Sequence, residues 1–264
     1  RGMGRGQGGY GGNNGISTTW MGGLNGAFSL CDGDMDLAAN YLYNGTNKDV
    51  IEESSKITFM EDGSRLLYDT EGTNNTFSQG HRFGVRLEHK FSENTSLIFE
   101  PQFNFGQGTY NEYSNFSTLT QVGQLRDSTN KGFSNNFGAN DNWSTSGFLL
   151  FRQRLGKPGR TISANLRYSF SNNDMDGNNV SHTFVRNDQT GAWSDDLVNQ
   201  TFTQNSKSSS LRGRIVYTEP LGHDLFLEAN YQYGWSRNTS YKNTFNNITG
   251  EVDDRYSNRI LNRS

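Results

Sequence analysis

The sequence predicts an all-β fold: an antiparallel transmembrane β-barrel segment of about eight strands, with short turns at one rim and long polar loops at the other. Three observations predict it. Eight runs alternate strictly between apolar and polar residues. Very short turns join these runs in pairs. Polar stretches of some thirty residues separate the pairs.

The first run spans 20–30 and puts Trp20, Gly22, Leu24, Gly26, Phe28 and Leu30 on one face. The second has Met35, Leu37, Ala39, Tyr41 and Tyr43, with Asp36 and Asn40 opposite. The third sets Phe83, Val85, Leu87, His89 and Phe91 against Arg82, Arg86, Glu88 and Lys90. The fourth sets Leu97, Phe99, Pro101, Phe103 and Phe105 against Glu100, Gln102 and Asn104. The fifth sets Trp143, Gly147, Leu149, Phe151 and Leu155 against Ser144, Ser146, Arg152 and Arg154. The sixth sets Ile162, Ala164, Leu166, Tyr168 and Phe170 against Ser163, Asn165, Arg167 and Ser169. The seventh sets Leu211, Gly213, Ile215 and Tyr217 against Arg212 and Arg214. The eighth sets Leu225, Leu227, Ala229, Tyr231, Tyr233 and Trp235 against Glu228, Asn230 and Gln232. A period of two is the signature of a strand with unlike faces. Strands are expected near 16–30, 35–47, 79–91, 96–108, 142–155, 160–172, 208–219 and 224–238.

Turn length must preserve this parity, because a one-residue slip turns a strand over. Cys31-Asp32-Gly33-Asp34 pairs Leu30 with Met35, both apolar-face. Gly156-Lys157-Pro158-Gly159 keeps Gln153 opposite Ile162. Pro220-Leu221-Gly222-His223-Asp224 keeps Tyr217 opposite Leu227. Ser92-Glu93-Asn94-Thr95 has the wrong parity, so one flanking residue must join that turn. The stretches 47–78, 109–140, 173–207 and 239 onward, rich in Asn, Ser, Thr, Asp and Gly, read as long loops. Two of them have room for small hairpins, 57–60 with 65–68 and 181–185 with 197–203. Tyr41, Tyr43, Trp143, Tyr168, Phe170, Tyr233 and Trp235 lie at the strand ends away from the short turns. Phe28, Phe91, Phe151 and Leu225 lie beside the turns. Two such levels are the interfacial girdles of a barrel.

Bulk composition hides this pattern. Only 31% of the 264 residues are hydrophobic, and mean hydropathy is −0.81. The informative figures are 18 Phe, 12 Tyr and 31 Gly against 3 Pro, which favour many strands and polar turns. No run approaches the 18 apolar residues of a membrane helix, but a barrel strand needs only about 9–11, half of them facing lipid. Net charge of −3 excludes an electrostatic nucleic-acid partner. Residues 1–14 form a Gly/Arg-rich flexible loop; their spaced arginines resemble an RGG segment, without a second basic patch to support that reading. The chain opens at Arg1 with no initiator Met or signal peptide and reads as an excised segment. Cys31 has no partner for a disulfide or metal cluster.

The stretches GISTTWMGGLNGAFSLCDGDMDLAANYLYN (15–44), FGVRLEHKFSENTSLIFEPQFNFG (83–106), GFLLFRQRLGKPGRTISANLRYSF (147–170) and YTEPLGHDLFLEANYQY (217–233) resemble the barrel region of TonB-dependent receptors and related outer-membrane β-barrel proteins of Bacteroidetes. The resemblance covers most of 15–240 and lies in strand-turn-strand texture. It implies a parent barrel of about 22 strands around a plug domain, energy coupling through the TonB complex, and uptake of a bulky nutrient such as an iron chelate, glycan or peptide. On this reading 15–240 is a barrel segment from the parent's middle, and 241–264 is an extracellular loop leading to a further strand. The location is the Gram-negative outer membrane, and the partners are its lipid, the plug and the remaining strands. A small structural or adhesive barrel and a soluble exported carbohydrate-binding β-domain are the alternatives.

No enzymatic chemistry or cofactor is expected. The four histidines, His81, His89, His182 and His223, do not cluster. Asn172-x-Asp174-x-Asp176-Gly177 resembles the start of a calcium loop, but Thr183 stands where a bidentate Glu is needed. The acidic pairs Glu52-Glu53, Asp195-Asp196 and Asp253-Asp254 lack an acid-base partner. The candidate functional surface is the charged face: Arg82, Arg86, Glu88, Lys90, Glu100, Arg152, Arg154, Arg167, Arg212, Arg214 and Glu228. An Arg or Lys on the lipid side costs roughly 2–4 kcal/mol at the bilayer midplane, so these residues are expected toward the lumen. There they either pair with one another across strands or dock a plug. The segment is expected to be unclosed, with the strand starting at Ile16 and the strand ending near Arg237 as its free edges.

Overall fold

The computed structural model describes residues 15–187, 189–222 and 225–263, so the expected flexible loop at 1–14 lies outside the described residues. Ten strands form one antiparallel sheet: β1 (Ile16–Leu30), β2 (Met35–Phe59), β3 (Arg65–Ser92), β4 (Thr95–Val122), β5 (Leu125–Arg154), β6 (Thr161–Arg186), β7 (Trp193–Pro220), β8 (Phe226–Asn246), β9 (Glu251–Val252) and β10 (Asn258–Arg263). Each strand from β1 to β8 pairs with the next in sequence, and β8 also carries β9 and β10. A single 3₁₀ turn, Cys31–Gly33, is the helical element among the described residues.

The sheet is one layer deep. Among the described residues Val50 and Ile98 are the buried hydrophobics, while Leu24 is 77% and Tyr231 68% exposed. A soluble sandwich would bury the apolar face of each sheet against another; no second layer is present here. The sheet is also open. β1 pairs with β2 alone and does not meet β8, so the arrangement is not the complete eight-stranded barrel.

The face pattern is continuous across the eight long strands. Residues directly opposite in an antiparallel pair share a face. The register runs Phe28↔Leu37↔Leu87↔Phe99↔Leu149↔Leu166↔Gly213↔Tyr233, and each of these belongs to the expected apolar set. Leu30↔Met35 and Gln153↔Ile162 stand as the turn lengths require. Tyr217 faces Ala229 rather than Leu227, a two-residue shift that leaves both strands facing the same way. The mismatched turn is resolved by a bulge. Lys90↔Ser96 and Ser92↔Thr95 are paired, with a register shift between Lys90 and Ser92. Phe91 is therefore the extra residue that sets β3 and β4 in phase.

The expected long loops are corrected by the structure. Residues 47–59, 65–78, 109–122, 125–140, 173–186 and 193–207 are paired strand, and the far turns are short: 60–64, 123–124 and 187–192. Likewise 241–246 continue β8, and a turn and β9 lead into β10, which folds back on β8 with Asn258 opposite Lys242 and Arg263 opposite Arg237. Ten strands, not eight, result. β1 is a free edge as expected, but β8 is free only over 226–236. The physical reason is that alternation is imposed only where the two faces meet different media. The 30 residues of β5 span about 100 Å at roughly 3.3 Å each, against an apolar band about 25 Å tall. Beyond such a band both faces meet water, period two vanishes, and Asn, Ser and Thr persist in the ladder through cross-strand bonds. Examples are Ser55 Oγ to Asp69 Oδ1 at 2.5 Å and Asn205 Nδ2 to Asn172 Oδ1 at 2.9 Å. The expected hairpin at 57–68 is the far turn of β2 and β3, with Ile57 opposite Leu67. Gly63 supplies its positive φ of 84°, and the Asp62 carboxylate accepts from Ser64 N at 2.9 Å.

Candidate functional site

The register places all eleven charged candidates on the face opposite the aromatics. Arg86 stands opposite Ala38, Glu88 opposite Ile98, and Arg152 between Ser96 and Ser163. Arg154 faces Thr161, Arg167 lies between Phe148 and Arg212, Arg214 faces Asn165, and Glu228 faces Thr218. Arg82 and Lys90 complete the set on β3, and Glu100, opposite Phe148, does so on β4. Asn40, Leu42, Arg82, Arg86, Glu100, Gln102, Ser146, Phe148 and Arg167 line one groove of about 760 Å³. They come from five adjacent strands, β2 to β6.

The charges divide into two halves. On the β3–β4 side Arg86 binds the Glu100 carboxylate directly and reaches Glu88 at 3.1 Å, while Arg82 Nη2 donates to Gln102 Oε1 at 2.9 Å. On the β5–β8 side Arg152, Arg154, Arg167, Arg212 and Arg214 make no ion pair among the described residues. The expectation of cross-strand ion pairs therefore describes the first half only. Arg167 lies over the Phe148 ring, 5.2 Å from its centroid, a contact that orients the guanidinium without neutralising it.

The opposite face carries an aromatic level toward the strand ends away from the short turns. Tyr43, His81, Phe105 and Trp143 form one row across β2 to β5. Tyr41 packs tilted against Phe83, ring centroids 4.8 Å apart, and shares a hydrogen bond of 2.8 Å with His81 Nδ1; Trp20 Nε1 donates to Tyr43 at 3.4 Å. Polar tips engaged on an apolar ring suit a boundary between hydrocarbon and water. Of the ten residues expected on this face, Phe83, Ile215, Leu227 and Tyr231 are exposed; Leu97, Phe99, Leu149, Phe151, Ile162 and Leu166 are half-buried by same-face neighbours.

The other sequence candidates do not assemble. His81 and His89 lie on β3, His182 on β6 bonded to Asp195 at 2.9 Å, and His223 lies outside the described residues. Asn172, Asp174 and Asp176 lie on β6, where extended backbone spaces them along one face rather than around an ion. Asp253 is held by Gln200 at 3.1 Å and by Arg255 at 3.3 Å, and the Arg255 guanidinium keeps its carboxyl below the usual range.

One cluster escaped sequence reasoning. At the short-turn rim, Arg160 Nε and Nη2 donate to Glu219 at 2.7 and 2.8 Å, and Lys157 Nζ approaches it at 3.4 Å. This ties the β5–β6 turn to the end of β7. The partners are some sixty residues apart, so only the register could reveal them. The two bonds from Arg160, with Tyr217 adding a third, lower the Glu219 carboxyl from 4.5 to about 2. A depressed carboxylate contributes stability that is complete above about pH 4.5 and is lost as pH falls from there toward 2. Hydrogen exchange across 155–161, corrected for intrinsic rates, is expected to rise over that window. In Glu219→Gln it should already be raised at neutral pH and show no step; an unchanged profile would remove the tie.

No family model and no curated protein matches the chain. Among solved structures, the ferric preacinetobactin receptor BauA from Acinetobacter baumannii aligns over 94% of this chain and 61% of its own, at 7% identity and a TM-score of 0.15. The chain thus spans about three fifths of that receptor's length. A likeness of this size carries no argument, and the functional reading rests on the sheet itself.

Proposed function

We propose that this chain forms part of the wall of an outer-membrane β-barrel transporter of the TonB-dependent receptor kind. The observation that carries the reading is the division of eight strands into an aromatic face and a charged face, with no core between layers among the described residues. Such a sheet finds its missing solvent in lipid, and its charges in a wet lumen. Open edges are excluded from hydrocarbon because their backbone groups lack partners there. β1 and the lower half of β8 therefore pair with further strands of the same barrel. The plug domain and the TonB complex are the partners such a barrel works with, and a bulky nutrient is the cargo. The strand arms beyond the apolar band reach outward from the cell and carry first contact with that cargo.

Two measurements test this. The protein should sediment with outer membranes, resist extraction by alkali, dissolve in detergent and migrate faster unheated than boiled; recovery in the soluble fraction would end the reading. Replacing 114–134 by a two-residue Asn-Gly turn keeps Tyr113 opposite Asn135. It should leave membrane assembly intact and reduce uptake by the intact receptor at least tenfold. Unchanged uptake would remove the arms from cargo capture.

A further inference from the structure

Between β6, β7 and β8 the charged face holds a pocket of about 540 Å³. Its floor is two rows of directly opposed residues, Arg167–Arg212–Gly234 and Ser169–Ser210–Ser236. Arg167 and Arg212 carry like charges at directly opposed positions, an arrangement that destabilises a sheet unless something neutralises it. No carboxylate of the described residues does so: on the β5–β8 half of this face Glu228 stands at the short-turn end opposite Thr218, and Asp127 and Asp196 stand at the far end, opposite Thr120 and Thr183. Arg214, two residues from Arg212 on the same face, has an Nε shielded from solvent with no partner. Gly234 leaves the pocket open, with Arg212 Nε lying 4.0 Å from where a Cβ would stand. The β3–β4 half behaves differently, since its Arg86 is neutralised by two glutamates.

We propose that this pocket binds a small solute carrying at least two anionic oxygen groups, of the phosphate- or sulfate-ester class. Guanidinium groups present forked donors that match such oxygens, and the Ser169 and Ser210 hydroxyls add neutral donors beside them. The proposal rests on the transporter reading and names the chemistry of what enters the lumen.

Pyrophosphate is the probe, titrated calorimetrically into the intact receptor in detergent micelles with chloride as the background anion. Saturable one-to-one binding is expected. Arg212→Ser and Arg167→Ser should each weaken it at least tenfold. Gly234→Leu, which fills the pocket and leaves every charge in place, should do the same. Arg86→Ser should change it less than twofold. Absence of saturable binding, or an equal loss in Arg86→Ser, overturns the proposal. So does preferential binding of a poly-glutamate peptide that pyrophosphate cannot displace, because the arginines then serve an acidic segment of protein. Each variant is also run unheated and boiled on a gel. A chain that keeps its heat-modifiable mobility but does not bind sinks the anion site alone; a chain that never shows it sinks the transporter reading.

Discussion

Leu149→Arg is expected to abolish outer-membrane assembly, whereas Leu150→Arg, one residue away, is expected to be tolerated. Leu149 lies on the aromatic face between Phe99 and Leu166; Leu150 lies on the charged face between Ile98 and Asn165. Both are half-buried leucines on β5, and helix or strand propensity does not distinguish them. Only the medium in front of them differs. An arginine near the middle of the lipid face costs roughly 2–4 kcal/mol, enough to shift assembly by a factor of about 30 to 800 at 1.4 kcal/mol per tenfold. On the charged face, the lumen side of the proposed barrel, it joins Arg152 and Arg167. The check is the heat-modifiable fraction in purified outer membranes. Equal behaviour of the two variants would mean that the faces are not lipid and lumen.

Deleting Val85 is expected to be destructive, and deleting Phe91 is expected to preserve the fold. Loss of Val85 shifts one half of β3 by a residue relative to the other. Either Arg86, Glu88 and Lys90 turn to the aromatic face, or Phe83 and His81 turn away from Tyr41. The first outcome places three charges against lipid, at several kcal/mol in total; the second dismantles part of an aromatic level. Phe91 is the bulged residue, unpaired between Lys90 and Ser92. Its removal leaves Lys90 opposite Ser96 and Ser92 opposite Thr95 around the same two-residue turn, with every later strand facing as before. Protease protection of β3 and β4 in membranes separates the two: loss of protection in both deletions would show that Phe91 sets more than phase.

The facing of the alternating strand segments was legible in the sequence because it follows from local parity. Trp20 to Leu30, Met35 to Tyr43 and Phe83 to His89 alternate, and the four short turns had to keep that alternation in phase; even the odd residue at Ser92-Glu93-Asn94-Thr95 could be demanded before its position was known. The charged set followed from the same parity, since an arginine such as Arg167 or Arg212 costs too much on the apolar side. What the alternation did not mark was anything outside the band. Residues such as Asn111, Asn135, Asn178 and Thr201 read as loop because neither face selects apolar side chains there, yet they are bonded strand. Only the tertiary structure decided where the far turns fall, that β10 folds back on β8, and that Glu219 ties two turns together through Arg160. It alone separated the paired Arg86 from the unpaired Arg167 and Arg212. Side-chain facing is set by each residue and its neighbours, whereas pairing is set by which strands lie side by side, and that is a property of the assembled sheet.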